Sequence, residues 1–206
     1  MLEEEQKYRE EGFSLIVGVD EAGRGPLAGP VCAAACLLPA NFLNDEINDS
    51  KQLTEKKREA LFPIIKKNAL SYGIAFASVS EIDEFNIYEA TKIAMLRAIE
   101  QIRVPFDLVL TDAMPLKGLA KPVIPIIKGD AKAECIAAAS ILAKVTRDHV
   151  MMELDKQYPQ YGFKKHKGYG TKGHLAALEK YGPIEGIHRK SFAPVAKFFQ
   201  NQIPLF

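Results

Sequence analysis

The segment Val17-Gly18-Val19-Asp20-Glu21-Ala22-Gly23-Arg24-Gly25 constrains the chain more than any other. A short apolar run from Phe13 to Val19 stops at two adjacent carboxylates, and a glycine pair flanking an arginine follows. Neighbouring residues of a strand face opposite ways, so Asp20 and Glu21 converge on one point only if the strand ends there and the chain turns. The glycines supply such a turn and leave backbone N–H and C=O groups open to a ligand. Two acids beside an open, arginine-bearing backbone fit a metal ion on one side and a phosphate or sugar on the other. Taken alone, the nine residues fit an ordinary surface turn of an α/β protein equally well.

Beyond the turn, Val31-Cys32-Ala33-Ala34-Ala35-Cys36-Leu37-Leu38 is apolar on both faces, as in a central strand covered on both sides. The rest of the chain alternates strand-like and helix-like segments. Thr54 is placed to cap a helix running to about Asn68, with Pro63 predicted to bend or split it. A strand is expected over 72–79, a helix over 86–102 closed off by Pro105, and strands at 107–112 and 122–127. The longest helical pattern covers 131–157, where Ile136, Ala139 and Ala143 form a core stripe. The basic loop His166-Lys167-Gly168-Tyr169-Gly170-Thr171-Lys172 comes next, then a helix near 172–180 and a proline-punctuated tail.

With 206 residues and 48% hydrophobic content, one α/β domain spanning 1–206 is the expectation. A net charge of +1 excludes an overall polycation while allowing a local basic groove. Cys32, Cys36 and Cys135 sit in apolar or alanine-rich runs without a C-x-x-C pattern, so they read as reduced core residues. The stretch 1–11 is acidic and polar, unlike a signal peptide, and no apolar run reaches membrane-spanning length. A cytoplasmic monomer with no membrane partner is expected.

Asp20 closes one predicted strand, Asp112 closes another, and Asp130 stands where the long helix begins. Ligands of open α/β sheets gather at strand ends and helix N-termini. The oxygen donors of Asp20, Glu21, Asp112 and Asp130 suit Mg²⁺ or Mn²⁺, and two such ions carry out in-line phosphoryl displacement. Singly, Asp112 also fits a strand-end turn and Asp130 an N-cap. His166, His174 and His188 are assigned to solvent or packing, because the four acids suffice for metal.

Gly18-Val19-Asp20-Glu21-Ala22-Gly23-Arg24-Gly25-Pro26-Leu27-Ala28-Gly29-Pro30-Val31 resembles the signature of ribonuclease HII, the bacterial type 2 ribonuclease H. The resemblance continues through Asp49-Ser50-Lys51, Thr111-Asp112, Lys128-Gly129-Asp130, the run 140–148 and His166 to Thr171. It implies an RNase H-like fold: a mixed five-stranded sheet flanked by helices, with a mostly helical C-terminal part at about 160–201. The implied activity is endonucleolytic hydrolysis of RNA in RNA/DNA hybrids and at single ribonucleotides in duplex DNA. Asp20, Glu21, Asp112 and Asp130 would hold two Mg²⁺ or Mn²⁺ ions, with Asp20 shared. Gly23, Arg24 and Gly25 would read the ribose 2′-OH, and Tyr169 would sense the RNA–DNA junction. Lys51, Lys128, Lys144, Arg147, Lys165 and Lys167 are the candidate phosphate contacts. Because the first strand begins so early, the longer N-terminal substrate-binding extension of some relatives is expected to be absent.

Rival readings are a resolvase or integrase of the same fold, which would share the acids without needing Gly-Arg-Gly and Tyr169, and a P-loop protein, which would need a Gly-Lys-Ser/Thr that is missing. Gln202-Ile203-Pro204-Leu205-Phe206 resembles the short peptide by which bacterial repair proteins dock on the DNA sliding clamp, with Gln202, Ile203, Leu205 and Phe206 as the contacts. A tail folded back onto the domain is the alternative.

Overall fold

A computed structural model describes residues 3–47, 50 and 52–200. Five strands, β1 (Ile16–Ala22), β2 (Val31–Leu37), β3 (Ser71–Ala77), β4 (Leu108–Asp112) and β5 (Val123–Ile126), form one sheet in the order β3-β2-β1-β4-β5. The β3-β2-β1 half is antiparallel and the β1-β4-β5 half parallel, so the sheet is mixed. The helices are α1 (Glu3–Glu10), α2 (Glu55–Asn68), α3 (Val79–Ile99), α4 (Glu134–Gln157), α5 (Phe163–His166), α6 (Lys172–Tyr181) and α7 (Ala193–Gln200).

Strand alternation divides the core. Val17 and Val19 of β1, with Val31, Ala33 and Ala35 of β2, pack against Ala90, Ala94, Met95 and Ala98 of α3. Cys32, Ala34 and Cys36 face the other way, onto α4 and onto Leu61 and Ile65 of α2. Both faces of β2 are therefore covered, as its unbroken apolar run requires. The N-terminus of α4 crosses β1 at Gly18, where an added Cβ would lie 2.1 Å from the carbonyl carbon of Cys135. Only glycine permits that approach, and it brings α4 down beside the end of β1. All three cysteines are buried and free, with burial raising the thiol pKa of each.

Several boundaries differ from expectation for local reasons. The acidic stretch at the start forms α1, and Glu5 Oε1 accepts the Cys135 N–H at 2.7 Å, capping α4 from a distant part of the chain. Pro63 lies within a continuous α2, capped by Thr54 accepting from Lys57 N. The β3 strand ends at Ala77 because Ser78 and Glu81 form a capping box that starts α3 seven residues early. Asn86, the expected start, is instead a kink at φ 69°, where its Oδ1 accepts from Tyr88 and Glu89 N–H. α4 begins at Glu134, after a 3-10 turn over Gly129–Ala131. The tail after 182 contains α7.

Candidate active site

β1 runs on through Ala22, past the point where the acids were expected to end it. Asp20 thus shares the face of Gly18, toward α4, while Glu21 turns to the opposite side. In β4, Asp112 follows Leu108 and Leu110 on the face packed against Cys135 and Ile136. The parallel register Val19↔Thr111 leaves Asp20 and Asp112 side by side one step further on. Lys128, in the left-handed region at φ 57°, reverses the chain after β5, and Asp130 enters the same corner on the 3-10 turn before α4.

Carboxylate oxygens of Asp20, Asp112 and Asp130 lie within 4.8 Å of one another, with Asp20 2% and Asp130 4% exposed. Two backbone donors orient the set: Glu21 N–H bonds Asp20 Oδ1 at 2.7 Å, and Gly129 N–H bonds Asp112 Oδ1 at 2.8 Å. Asp20 Oδ2 is buried with no partner at hydrogen-bond distance among the described residues. Burial, then the charges of Glu21 and Asp112, push the Asp20 pKa well up, against the Ser140 hydroxyl and the Glu21 N–H. Ser140 itself bonds Ser50 at 2.7 Å, which ties the loop before α2 to this corner. Glu21 stands outside the triad, 3.4 Å from Arg24.

Beside the acids lies the glycine loop. Gly23 sits at φ 99°, and a Cβ there would fall 1.9 Å from Arg147 Nε. The Tyr169 ring, 46% exposed, borders Gly25, with its Cε1 3.5 Å from where a Cβ would be. Two connections hold the Tyr169 loop to this edge: Leu27 N–H donates to Gly168 O, and Arg147 Nη1 donates to Lys167 O.

The basic residues fall into exposed and buried sets. Lys128 and Lys165 are exposed, whereas Lys144 is half-buried on Asp148 at 2.6 Å. Arg147 is corrected from a surface phosphate contact to a buried brace, 1% exposed, donating to Pro30 O, Ala28 O and Lys167 O. Lys167 is similarly buried and directs Nζ to Glu55 and to Lys164 O. Lys51 and residues 202–206, with the expected clamp peptide, lie outside the described residues.

The three histidines pack together with Phe163 and Tyr161. Their partners assign the protons. Ile184 N–H donates to His188 Nδ1, so His188 Nε2–H faces His174 Nε2 at 3.1 Å, and His174 Nδ1–H donates to Tyr169 O at 3.0 Å. Sequence reasoning missed this relay and missed Arg189, fully buried behind the glycine loop. The one cue was a charged residue amid Ile184, Ile187 and Phe192.

A mixed sheet flanked by helices, with clustered acids at the carboxyl ends of β1 and β4 and a helical C-terminal part, defines the RNase H-like class of fold. The ribonuclease HII family profile matches residues 17–195. The ribonuclease HII of Desulfitobacterium hafniense is 56% identical over 195 residues, 95% of this chain and 75% of that protein. The crystal structure of ribonuclease H2 from Pyrococcus horikoshii OT3 superposes with a TM-score of 0.76 at 28% identity, covering 91% of this chain and 98% of its own. The RNase HII of Archaeoglobus fulgidus, solved in complex with PCNA, matches at TM-score 0.68 and 21% identity over 86% of this chain and 95% of that one. The chain belongs to the ribonuclease HII family and is thereby an RNase H enzyme.

Proposed function

We propose that this enzyme hydrolyses the RNA strand of RNA/DNA hybrids and cuts at single ribonucleotides within duplex DNA, using two divalent ions. The observation that carries the reading is the Asp20–Asp112–Asp130 triad set directly beside the Gly23-Arg24-Gly25 loop and Tyr169. The donor set fits Mg²⁺ or Mn²⁺: it is all oxygen, its central carboxylate has a buried oxygen without a hydrogen bond, and its like charges repel until a cation joins them. Bound there, the ions supply an activated water and stabilise the leaving oxygen of the phosphodiester.

The chain's own residues supply placement. Asp20, the most buried of the three, would hold the ions with Asp112 and Asp130, and Glu21, next to Asp20 on β1 but outside the triad, would be a further oxygen donor. Glu21 N–H and Gly129 N–H fix the carboxylate orientations before any ion arrives. Gly23, Arg24 and Gly25 offer backbone groups to the ribose 2′-OH, the feature that distinguishes RNA from DNA. Tyr169 stands over that loop, its ring for a sugar face and its hydroxyl for the 2′-OH. Lys128, Lys144 and Lys165 carry phosphate affinity, and Lys51 joins them on sequence grounds alone.

The test is cleavage of a duplex with one ribonucleotide, compared with all-DNA duplex and single-stranded RNA, in Mg²⁺ and in Mn²⁺. Cutting only where a duplex contains ribose is expected, and equal cutting of all-DNA duplex would return the resolvase reading. The 202–206 peptide is read as the element that docks on the sliding clamp. Its sequence supports this, and the Archaeoglobus fulgidus complex adds support. Removing those residues should abolish a micromolar clamp interaction in calorimetry while sparing cleavage of a short duplex.

A further inference from the structure

The inner side of the glycine loop is held by a side chain that the catalytic account leaves unused. Arg189 reaches it from the segment between α6 and α7, and its neighbours anchor that segment: Gly29 N–H donates to Ile187 O, and Arg189 N–H donates to Leu27 O. The guanidinium is fully buried and spends its hydrogen bonds on backbone carbonyls. Nη2 donates to Gly23 O at 2.6 Å and Nη1 to Arg24 O at 2.9 Å, while Nε and Nη2 share Gly29 O at 3.0 and 2.8 Å. Burial and the nearby Arg147 charge lower its pKa to about 9, so it remains a cation at neutral pH.

The peptide group is planar and trans, so each carbonyl points opposite to the N–H of the next residue. With the Gly23 and Arg24 carbonyls both turned inward to one guanidinium, the N–H groups of Arg24 and Gly25 both turn outward. Those two residues are exposed, and neither N–H has an acceptor among the described residues. Consecutive N–H groups directed to one side form a concavity that binds a negatively polarised oxygen.

We infer that Arg189 is a positioning residue that locks the glycine loop with its donors outward, so that this edge of the site selects an oxygen that accepts two hydrogen bonds. The inference rests on the proposed reading of the loop as the ribose-facing element. Two ligand atoms share the required chemistry, the ribose 2′ oxygen and a non-bridging phosphate oxygen. A lysine would keep the charge but cannot fork across three carbonyls.

The experiment compares wild type, Arg189→Lys and Arg189→Gln for equilibrium binding to a duplex with one ribonucleotide and to its all-DNA counterpart. EDTA prevents cleavage, and the temperature is kept well below each protein's melting point. Loss of two neutral hydrogen bonds predicts about a tenfold fall in affinity. A fall confined to the ribonucleotide duplex upholds the inference and identifies the 2′ oxygen, whereas equal falls on both duplexes uphold it and identify phosphate. Unchanged affinities in the variants overturn it, whatever happens to the melting temperature. Amide exchange of the wild type adds a reading that needs no variant: Arg24 and Gly25 N–H should become protected when the duplex binds, and unaltered exchange counts against the inference. If wild-type protein shows no preference for ribose, the functional reading fails at the 2′-OH, while the all-DNA arm still decides the role of Arg189.

Discussion

The two sides of the site are built by different means. On one side, Asp20 and Asp112 are carried by adjacent central strands and Asp130 by the turn leading into the longest helix, so their placement follows from sheet register and from Gly18 admitting α4. On the other side, the glycine loop and Tyr169 belong to no strand or helix. They are held from behind by Arg147, Arg189 and the His188–His174 relay, whose bonds end on backbone carbonyls. Carboxylates placed by regular structure form one side, and backbone placed by buried cations and neutral imidazoles forms the other.

The largest effect expected from this contrast lies on the acid side. Asp20→Asn or Asp112→Asn should reduce turnover by at least a thousandfold, while the metal-free protein melts at the same temperature or higher. Removing one member of a repelling cluster relieves charge that the fold otherwise tolerates. Near-normal hydrolysis in either variant would remove the acids from the mechanism.

Next comes Gly23→Ala. The new methyl must fit at φ 99° against Arg147 Nε, so it combines backbone strain with overpacking, at a cost of about 3 kcal/mol in stability. Cleavage should fall with it, because the loop has to shift. A variant that unfolds in urea at the wild-type midpoint would show that the loop is slack and the bracing unimportant.

The same contrast explains what the sequence made legible. Asp112 and Asp130 were readable because each stands at an element boundary, and Asp20 because it interrupts an apolar run ahead of the glycine loop; both signals show in the hydrophobic pattern. The central strand β2 was equally plain from its unbroken apolar run. Arg147 was misread because its helical position within α4 resembles that of any surface arginine; only the packing of Gly23, Ala28 and Pro30 around it reveals a buried role. Arg189 was invisible for a related reason, since the peptide carbonyls that its side chain binds lie 160 to 166 residues away and carry no sequence signal; His188 was expected only to pack or to face solvent, because its link to His174, 14 residues away, shows in no pattern. α1 was read as a polar leader because the residue that gives it a purpose, Glu5, caps a helix 130 residues later.

A smaller effect belongs to Tyr169→Ala. The ring is half-exposed beside Gly25 and bears no core load, so stability should hardly change. The cutting rate at a single embedded ribonucleotide should drop ten- to a hundredfold, with little loss of duplex affinity. An unchanged rate with ordinary affinity would show that Tyr169 only packs.

The smallest effect sets the two sides against each other through pH. His188 is buried and neutral, its pKa pulled down to about 4 by burial and by His174, and His174 is lowered as well. Between an ordinary histidine pKa of about 6.5 and that value, the unfolded chain binds the proton more readily than the folded one. The relay's contribution is therefore complete above about pH 6.5 and drains away as pH falls toward 4, because a protonated His174 or His188 sets two donors face to face. Asp20 works in the opposite sense. Its raised pKa means that the metal-free fold takes up the proton first, so acidification relieves the cluster that the relay cannot share in. Urea midpoints in EDTA at pH 7 and pH 5 should separate the two. His188→Gln should flatten the acid loss by on the order of 1 kcal/mol after solvent screening is allowed for, and Asp20→Asn should steepen it. If His188→Gln keeps the wild-type slope, the histidines are charged in the folded protein and the directional relay to Tyr169 is wrong.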